Sequence, residues 1–299
     1  MDVQRLRILR ELSDRGTVSA VASALSMTPS AVSQQLKTLG REAGVQLVEP
    51  DGRRLRLTPA GHALVLRADE VLAALDQADL EMASYRGSPR GRIRVAMFPS
   101  CAALLLPGAL RRLNDSEVLV EATDINEPLD AVPSLLADYE IVISHCDAKA
   151  APPTHPRVQY ESLMREPIDL ALSAKHHLAS RPILRIEDVA DEPWISVRKG
   201  FVPDDVLQCI AAGTGVRPRI VQRINDDRAT TALVAGGYGV ALLPRYAVCH
   251  STLVRREFEG LSPARMYILA TRPASRRSRG VNAVLQAFRD EALIAKDFG

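Results

Sequence analysis

As far as Tyr85, apart from a short alternating stretch at 46–57, the apolar residues recur at helical spacing. From Ile93 onward they come in short runs alternating with helical stretches, and Gly87-Ser88-Pro89-Arg90-Gly91 stands between the two regimes. A Gly/Pro-broken segment ends a helix, so one hydrophobic core cannot serve both patterns. The 299 residues therefore divide into a small helical head, a long helix and an alternating α/β remainder, with enough chain for separate cores. Apolar residues at 46% and charged residues at 25% exclude a disordered, collagen-like or disulfide-scaffold chain. No apolar run approaches the roughly 18 residues of a membrane helix, and Met1 to Arg10 is charged rather than signal-like. Neither export nor membrane insertion is expected. Cys101, Cys146, Cys209 and Cys249 form no close pair, so no zinc ligand set or disulfide framework is written, and a cytoplasmic location is the simplest expectation.

The formal charge of +2 hides an uneven split. Met1 to Arg67 holds 10 basic and 6 acidic residues, and Ala68 to Gly299 holds 28 and 30. The excess sits on the head. Asp2 can cap a first helix with Val3, Leu6, Leu9 and Leu12 on one side, ending at Gly16. Thr17 or Ser19 opens a second, short helix, and Thr28-Pro29 opens a third, Thr as cap and Pro at the first helical position. In the third helix Val32, Leu36 and Leu39 share one face while Ser30, Ser33, Gln34 and Lys37 share another. Hydroxyls, an amide and a cation suit base edges and phosphates in a DNA major groove, and the solvated face of a small bundle is an equal alternative for this helix alone. Gln46 to Glu49, the Asp51-Gly52 turn and Arg54 to Leu57 read as a β-hairpin with Arg53 and Arg54 at its tip, a wing able to reach a minor groove or phosphates.

Thr58-Pro59 repeats the helix-opening signal for a helix to about Tyr85, with Leu64, Ala68, Val71, Leu72, Leu75, Ala78 and Met82 as its apolar stripe. Such a stripe needs a partner, either the same helix of a second chain or the remainder of its own. The remainder reads as strand and helix in alternation: strands at 93–98, 118–122, 140–144, 168–173, 194–197, 219–224, 239–243 and 266–271, and helices at 104–113, 129–137, 204–212, 229–235 and 281–295.

These residues resemble the LysR-type transcriptional regulators. The stretch "LSDRGTVSAVASALSMTPSAVSQQLKTLGREAGVQLVEPDGRRLRLTPAG" is similar to the family's winged helix-turn-helix, and "HHLAS", "DEPWI" and "GGYGVALLP" resemble its effector domain. The resemblance implies an α+β multidomain chain: a winged helix-turn-helix over 1–58, a linker and dimerisation helix over 59–87, and a two-lobed, periplasmic-binding-protein-like α/β effector domain over 88–299. Lobe I would take about 92–162 and 267–299, and lobe II about 163–266. It further implies a bacterial homodimer or homotetramer that binds operator DNA, answers to a small anionic metabolite, needs no cofactor or metal, catalyses nothing, and has RNA polymerase as a further partner. Carried over by position, the DNA contacts are Thr28, Pro29, Ser30, Ser33, Gln34, Lys37, Arg53 and Arg54. Pro29 replaces the glutamine common there, and Leu47-Val48-Glu49-Pro50 lacks the arginine usual before the wing, for which Arg53, Arg54 or Arg56 would substitute.

In the implied fold, ligands bind where strand ends meet helix N-termini between the lobes. That selects Ser100, Cys101, Asn126 and His145 from one lobe and Ser196 and Arg198 from the other. Each also has an ordinary structural role open to it, as a helix cap, a solvated loop residue or a small buried apolar group. Two other readings use the same residues: a thiol-based redox sensor on Cys101 or Cys209, and an enzyme with Ser100, His145 and Asp124, or Cys101, in the cleft. The second lacks a nucleophile elbow, a phosphate loop and metal-ligand spacing.

Overall fold

The computed structural model describes residues 1–52, 54–85, 91–116, 118–215, 217–246 and 252–297. The head consists of α1 (Val3–Arg15), α2 (Val18–Ala24), α3 (Pro29–Ala43) and the hairpin β1 (Val48–Asp51) and β2 (Arg54–Leu57). Its helices begin where a short side chain accepts an otherwise orphaned N–H: Asp2 Oδ1 from Gln4 at 2.8 Å, Thr17 Oγ1 from Ala20 at 3.2 Å and Thr28 Oγ1 from Ala31 at 3.2 Å. Val32, Leu36 and Leu39 of α3 close one core with Leu9, Leu12 and Val21. The first wing strand starts two residues later than its alternation suggests. Thr58 holds the preceding pair, its Oγ1 donating to the Gln46 carbonyl at 2.7 Å and its N–H to Leu47 at 3.0 Å.

The linker helix α4 (Pro59–Tyr85) starts directly under this hairpin. A Cβ on Gly61 would stand 2.1 Å from the Leu47 carbonyl oxygen, so only glycine lets the two approach. The apolar stripe of α4 divides into two: Val65, Ala68 and Leu72 are buried, whereas Leu66, Val71, Leu75 and Met82 face outward at 39–49% exposure.

The remainder is β3 (Arg92–Met97), α5 (Pro99–Arg112), β4 (Leu119–Asp124), α6 (Val132–Leu135), β5 (Ile141–Asp147), β6 (Gln159–Ser173), β7 (Ile183–Leu184), β8 (Pro193–Ser196), α7 (Val202–Thr214), β9 (Arg219–Arg223), α8 (Asp227–Ala235), β10 (Val240–Pro244), β11 (Leu253–Phe258), β12 (Ala264–Thr271) and α9 (Arg279–Asp297). The strand order is β4-β3-β5-β12-β6-β10-β8-β9, with β11 on β6 and β7 on β11. Two cores flank the crossing strand β6: one holds Val95, Leu105, Ile141 and Phe288, the other Leu170, Trp194 and Val240. The first half of β6 pairs with β12 and the second, from Ile168, with β10 and β11. Strand pairing thus moves the passage between lobes to Pro167–Ile168, and gives all of β12 to the first lobe.

Beyond the wing strand, the sequence reading lacks β7 and β11 altogether and ends β5 three residues short of Asp147; three further elements differ for a visible reason. β6 begins at Gln159, because Gln159 to Pro167 is polar enough to read as loop and becomes strand only by pairing. α5 begins at Pro99 rather than near Leu104, with Pro preset for the first turn. The helix expected over 129–137 is a 3-10 turn, Leu129–Ala131, followed by the short α6, whose Pro133 lacks the N–H that would carry a longer ladder.

The head docks on the first lobe through a buried ionic seam. Arg157, just before β6, donates from Nε and Nη2 to Asp69 of α4 at 2.6 and 3.0 Å, and from Nη1 to Asp14 and Ser13 of α1, both at 2.8 Å. Arg272, just after β12, reaches Asp14 at 2.5 Å, Asp69 at 3.3 Å and the Leu136 carbonyl at 3.0 Å. The four side chains are 3–11% exposed. Burial pushes the Asp14 carboxyl above its ordinary range, against the pull of Arg272 and Arg157. At the rim, Arg15 meets Asp138 at 2.7 Å and Ser134 donates to the Asp14 carbonyl at 3.1 Å.

Candidate functional site

Two concave surfaces hold residues expected to bind. The first is an open trough of about 1370 Å³ between α2, α3 and the hairpin, lined by Ser33, Gln34 and Lys37 as well as Ser19, Arg41 and Gln46. Gln34 and Lys37 are exposed and Ser33 half-buried, so the polar face expected of α3 is turned outward. Thr28, Pro29 and Ser30 are exposed at its N-terminus, where the Thr28 hydroxyl also lies 3.0 Å from Ser30 Oγ. Arg53 lies outside the described residues, and Arg54 is placed by its backbone alone, opposite Asp51. Arg56 is tied to Glu49 at 2.5 Å across the hairpin, which spends its charge on the wing itself. Arg41, on the third helix near the hairpin, is the lining cation that sequence reasoning missed.

The second surface is a cleft of about 880 Å³ between the lobes. Phe98 and Ser100 at the start of α5, Asp124 at the end of β4 and Asn126 just beyond it, and His145 of β5 line one wall. Asn225, Asp226, Asp227 and Arg228, which open α8, line the other, with Arg265 of β12 between them. Of the six residues expected there, Ser100, Asn126 and His145 are in place. The other three are elsewhere, for visible reasons. Cys101 points into the first lobe's core with no exposed surface. Ser196 is buried, donating to Asp204 at 2.8 Å. Arg198 is exposed, its guanidinium 5.1 Å over the Phe201 ring.

The floor of the cleft is a buried polar network. Arg265 donates to Glu166 at 2.7 Å, to Ser100 Oγ at 2.9 Å and to Tyr267 Oη at 3.1 Å; Tyr267 in turn donates to Glu166 at 2.8 Å. Asp227 reaches Ser100 from the opposite lobe, and burial raises its pKa. The guanidinium also lies 4.9 Å over the Phe98 ring. His145 stands edge-on to that ring at 4.6 Å, and burial beside Arg265 lowers its pKa to about 3, so it is neutral in the physiological range. Two buried atoms of the cleft lining have no hydrogen-bond partner: His145 Nδ1 and Asn225 Nδ2. The Asn225 amide is oriented by its Oδ1, which accepts the Arg198 N–H at 2.7 Å, so Nδ2 is a donor without an acceptor. α5 opens at Phe98 without a side-chain cap, which leaves first-turn N–H groups at the same wall. Asn225, Asp227 and Arg265 escaped sequence reasoning; the Asn-Asp-Asp run ahead of a helix was the signal for the first two.

This arrangement is not a nucleophilic centre. Ser100 Oγ is engaged by Arg265 and Asp227 rather than by His145, and the Cys101 thiol is pushed far up by burial, opposite to what a reactive thiolate needs. Cys209 is exposed on α7, and Cys249 lies outside the described residues. Among the described residues one trio has metal-ligand composition, His176, His177 and Glu192. His176 Nδ1 accepts the Leu178 N–H at 3.2 Å, which places its ring proton on Nε2, 3.4 Å from Glu192. No helix among the described residues is long and apolar enough to cross a membrane.

Comparison with known proteins connects both surfaces to one family. The chain is 29% identical over 258 residues to the HTH-type transcriptional regulator MetR of Haemophilus influenzae, covering 83% of this chain and 79% of the other. It is 25% identical over 256 residues to the transcriptional dual regulator GltC of Bacillus subtilis, covering 84% and 83%. The fold matches full-length OxyR of Pseudomonas aeruginosa with a TM-score of 0.64 at 18% identity, over 97% of this chain and 98% of that one. Residues 3–62 match the bacterial regulatory helix-turn-helix model of the lysR family and residues 86–293 the LysR substrate binding domain. A reader head and a two-lobed domain with an open cleft, each matching its own half of one regulator architecture, place this chain in the LysR family of DNA-binding transcriptional regulators.

Proposed function

We propose that this regulator reads DNA with the outward face of α3 and with its wing, and that a small metabolite in the interlobe cleft controls it. Ser30, Ser33, Gln34 and Lys37 meet base edges and phosphates in the major groove, Thr28 and Pro29 approach the backbone at the start of α3, and Arg53 and Arg54 follow the minor groove or phosphates. Lys37 and Arg41 supply the salt-dependent part of the affinity. The outward stripe Leu66, Val71, Leu75 and Met82 joins two chains, so that two heads engage two half-sites. The protein works where DNA and RNA polymerase are, in the bacterial cytoplasm.

The observation that carries the effector reading is the pair of unpartnered atoms, His145 Nδ1 and Asn225 Nδ2, on facing walls of one cleft. A buried donor without an acceptor costs free energy, which a ligand oxygen would recover. A carboxylate-bearing molecule supplies that oxygen and suits the uncapped start of α5. Asp124, Asp226 and Asp227 on the same lining favour one that also carries donors. Ser100, Asn126, His145 and Asn225 are its contacts. Binding to operator DNA selected from random sequence, measured by fluorescence anisotropy with and without a panel of hydroxy, keto and amino acids, tests both halves. Unchanged affinity and sequence preference in Ser33→Ala/Gln34→Ala would sink the α3 assignment, and melting temperatures and DNA affinities indifferent to every compound would sink the effector reading.

A further inference from the structure

The buried charges of the cleft floor and those of the interdomain seam lie on the same two strands. β6 and β12 are antiparallel neighbours, and Glu166 and Arg265 are directly opposite in their register. At the far end of the pair Gln159 faces Thr271, and the chain just outside it contributes Arg157 on one side and Arg272 on the other. Seven residues separate Arg265 from Arg272, about 23 Å of extended strand at roughly 3.3 Å per residue. Between the two ends the register shifts at Tyr267/Ile268, an irregularity of the kind that bends a strand pair locally. β5 runs beside it from His145 to Ile141 as a second strand route, but leads to the rim pair Asp138–Arg15; the β6–β12 pair is a hydrogen-bonded ladder with an ion pair at one end and a four-membered buried ionic cluster at the other.

We infer that the β6–β12 pair carries the state of the cleft to the DNA-reading head, with Arg157 and Arg272 as positioning residues that turn a shift of the ladder into a change in how firmly α1 and α4 are held. The inference rests on the cleft being the effector site, and supplies its route of action. A ligand that draws Arg265 or Ser100 toward itself competes with Glu166 and moves the ladder at one end. At the other end the guanidinium groups have fixed partners, Asp14 and Asp69, and buried ionic contacts tolerate little displacement before they open. The head is then released from the first lobe, or gripped by it, without any change in α3.

The test needs no effector. Hydrogen exchange is followed in the full chain and in three variants: Arg272→Gln at the seam, Glu166→Gln at the cleft floor, and the double variant. In Glu166→Gln, exchange in peptides covering Asp14 in α1 and Asp69 in α4 is expected to rise by roughly 2- to 30-fold, the span of couplings along packed networks, while α3 keeps its protection. The double variant is expected to match Arg272→Gln alone in those peptides. Faster exchange confined to β6, β12 and α5, with α1 and α4 unmoved, overturns the inference, as does a double variant whose effects simply add. If Glu166→Gln does not fold, Tyr267→Phe, which removes the hydrogen bonds of Tyr267 Oη to Glu166 and from Arg265 and keeps the ring packing, is read in the same way. Failure here leaves the effector reading intact, since that is judged by ligand-dependent DNA affinity.

Discussion

The cleft floor and the interdomain seam are built from similar parts and differ in one respect. Each buries arginines against carboxylates within one molecule: Arg265 with Glu166 in the cleft, Arg157 and Arg272 with Asp14 and Asp69 in the seam. In the seam every carboxylate has an arginine partner. In the cleft the arginine pair is equally satisfied, yet His145 Nδ1 and Asn225 Nδ2 beside it have no partner. Buried charge therefore does not distinguish a binding site from a structural joint. Nor does a single unfinished hydrogen bond, since Arg10 Nε of α1 and side-chain nitrogens of Arg255 and Arg256 in β11 are also buried without a partner; two such residues lining one open cleft do, because a ligand there can complete both.

The most damaging way to probe this contrast is at the seam. Arg157→Ala removes four hydrogen bonds and leaves Asp69 and Asp14 short of a cation in a buried place, for which about 3–5 kcal/mol of destabilisation is expected in urea unfolding. A loss below about 1 kcal/mol, typical of surface pairs, would mean that the head is not docked in solution. The next effect is set by pH. His145 has its pKa lowered from 6.5 to about 3 in the folded chain, so the unfolded chain binds a proton that the folded one refuses across that window. Stability from this group is complete above pH 6.5 and falls as pH drops, by about 1.4 kcal/mol at pH 5.5. His145→Gln should remove that part of the acid sensitivity; an unchanged profile would show His145 to be accessible to water and the cleft wall to be open.

The legibility of the chain follows the range of its interactions. Asp2, Thr17 and Thr28 act on N–H groups two or three residues away, so a cap, a proline and a periodic face were enough to write the head. Of the three cleft residues legible in the sequence, Ser100 and Asn126 follow strands that the pattern locates, while His145 lies inside β5, which runs past the expected end at Ser144 to Asp147. Those missed depend on pairing across long separations. Arg157 meets Asp69 from 88 residues away and Arg272 meets Asp14 from 258, and an arginine after a strand looks like any solvated end. Glu166 sits between an arginine and a proline in a stretch that reads as loop, yet it is fully buried once β12 lies beside it. Arg198 differs in the other direction: a cation beside a strand end is expected at the cleft, and its guanidinium lies over the Phe201 ring instead.

The smallest expected effect tests the contrast most directly. Asn225→Ala deletes an unpartnered donor, which relieves a desolvation cost, and also deletes the acceptor of the Arg198 N–H, which removes a hydrogen bond at an exposed backbone. Each contribution is about 1 kcal/mol and they oppose one another, so the net change in unfolding free energy should lie within about 1 kcal/mol of zero. The same substitution should weaken any cleft ligand that offers an oxygen to Nδ2, seen as a smaller ligand-dependent rise in melting temperature. A loss of stability rivalling that of Arg157→Ala would instead make Asn225 a structural residue. The cleft and the seam would then be the same kind of joint, and the unpartnered atoms would no longer mark where a ligand belongs.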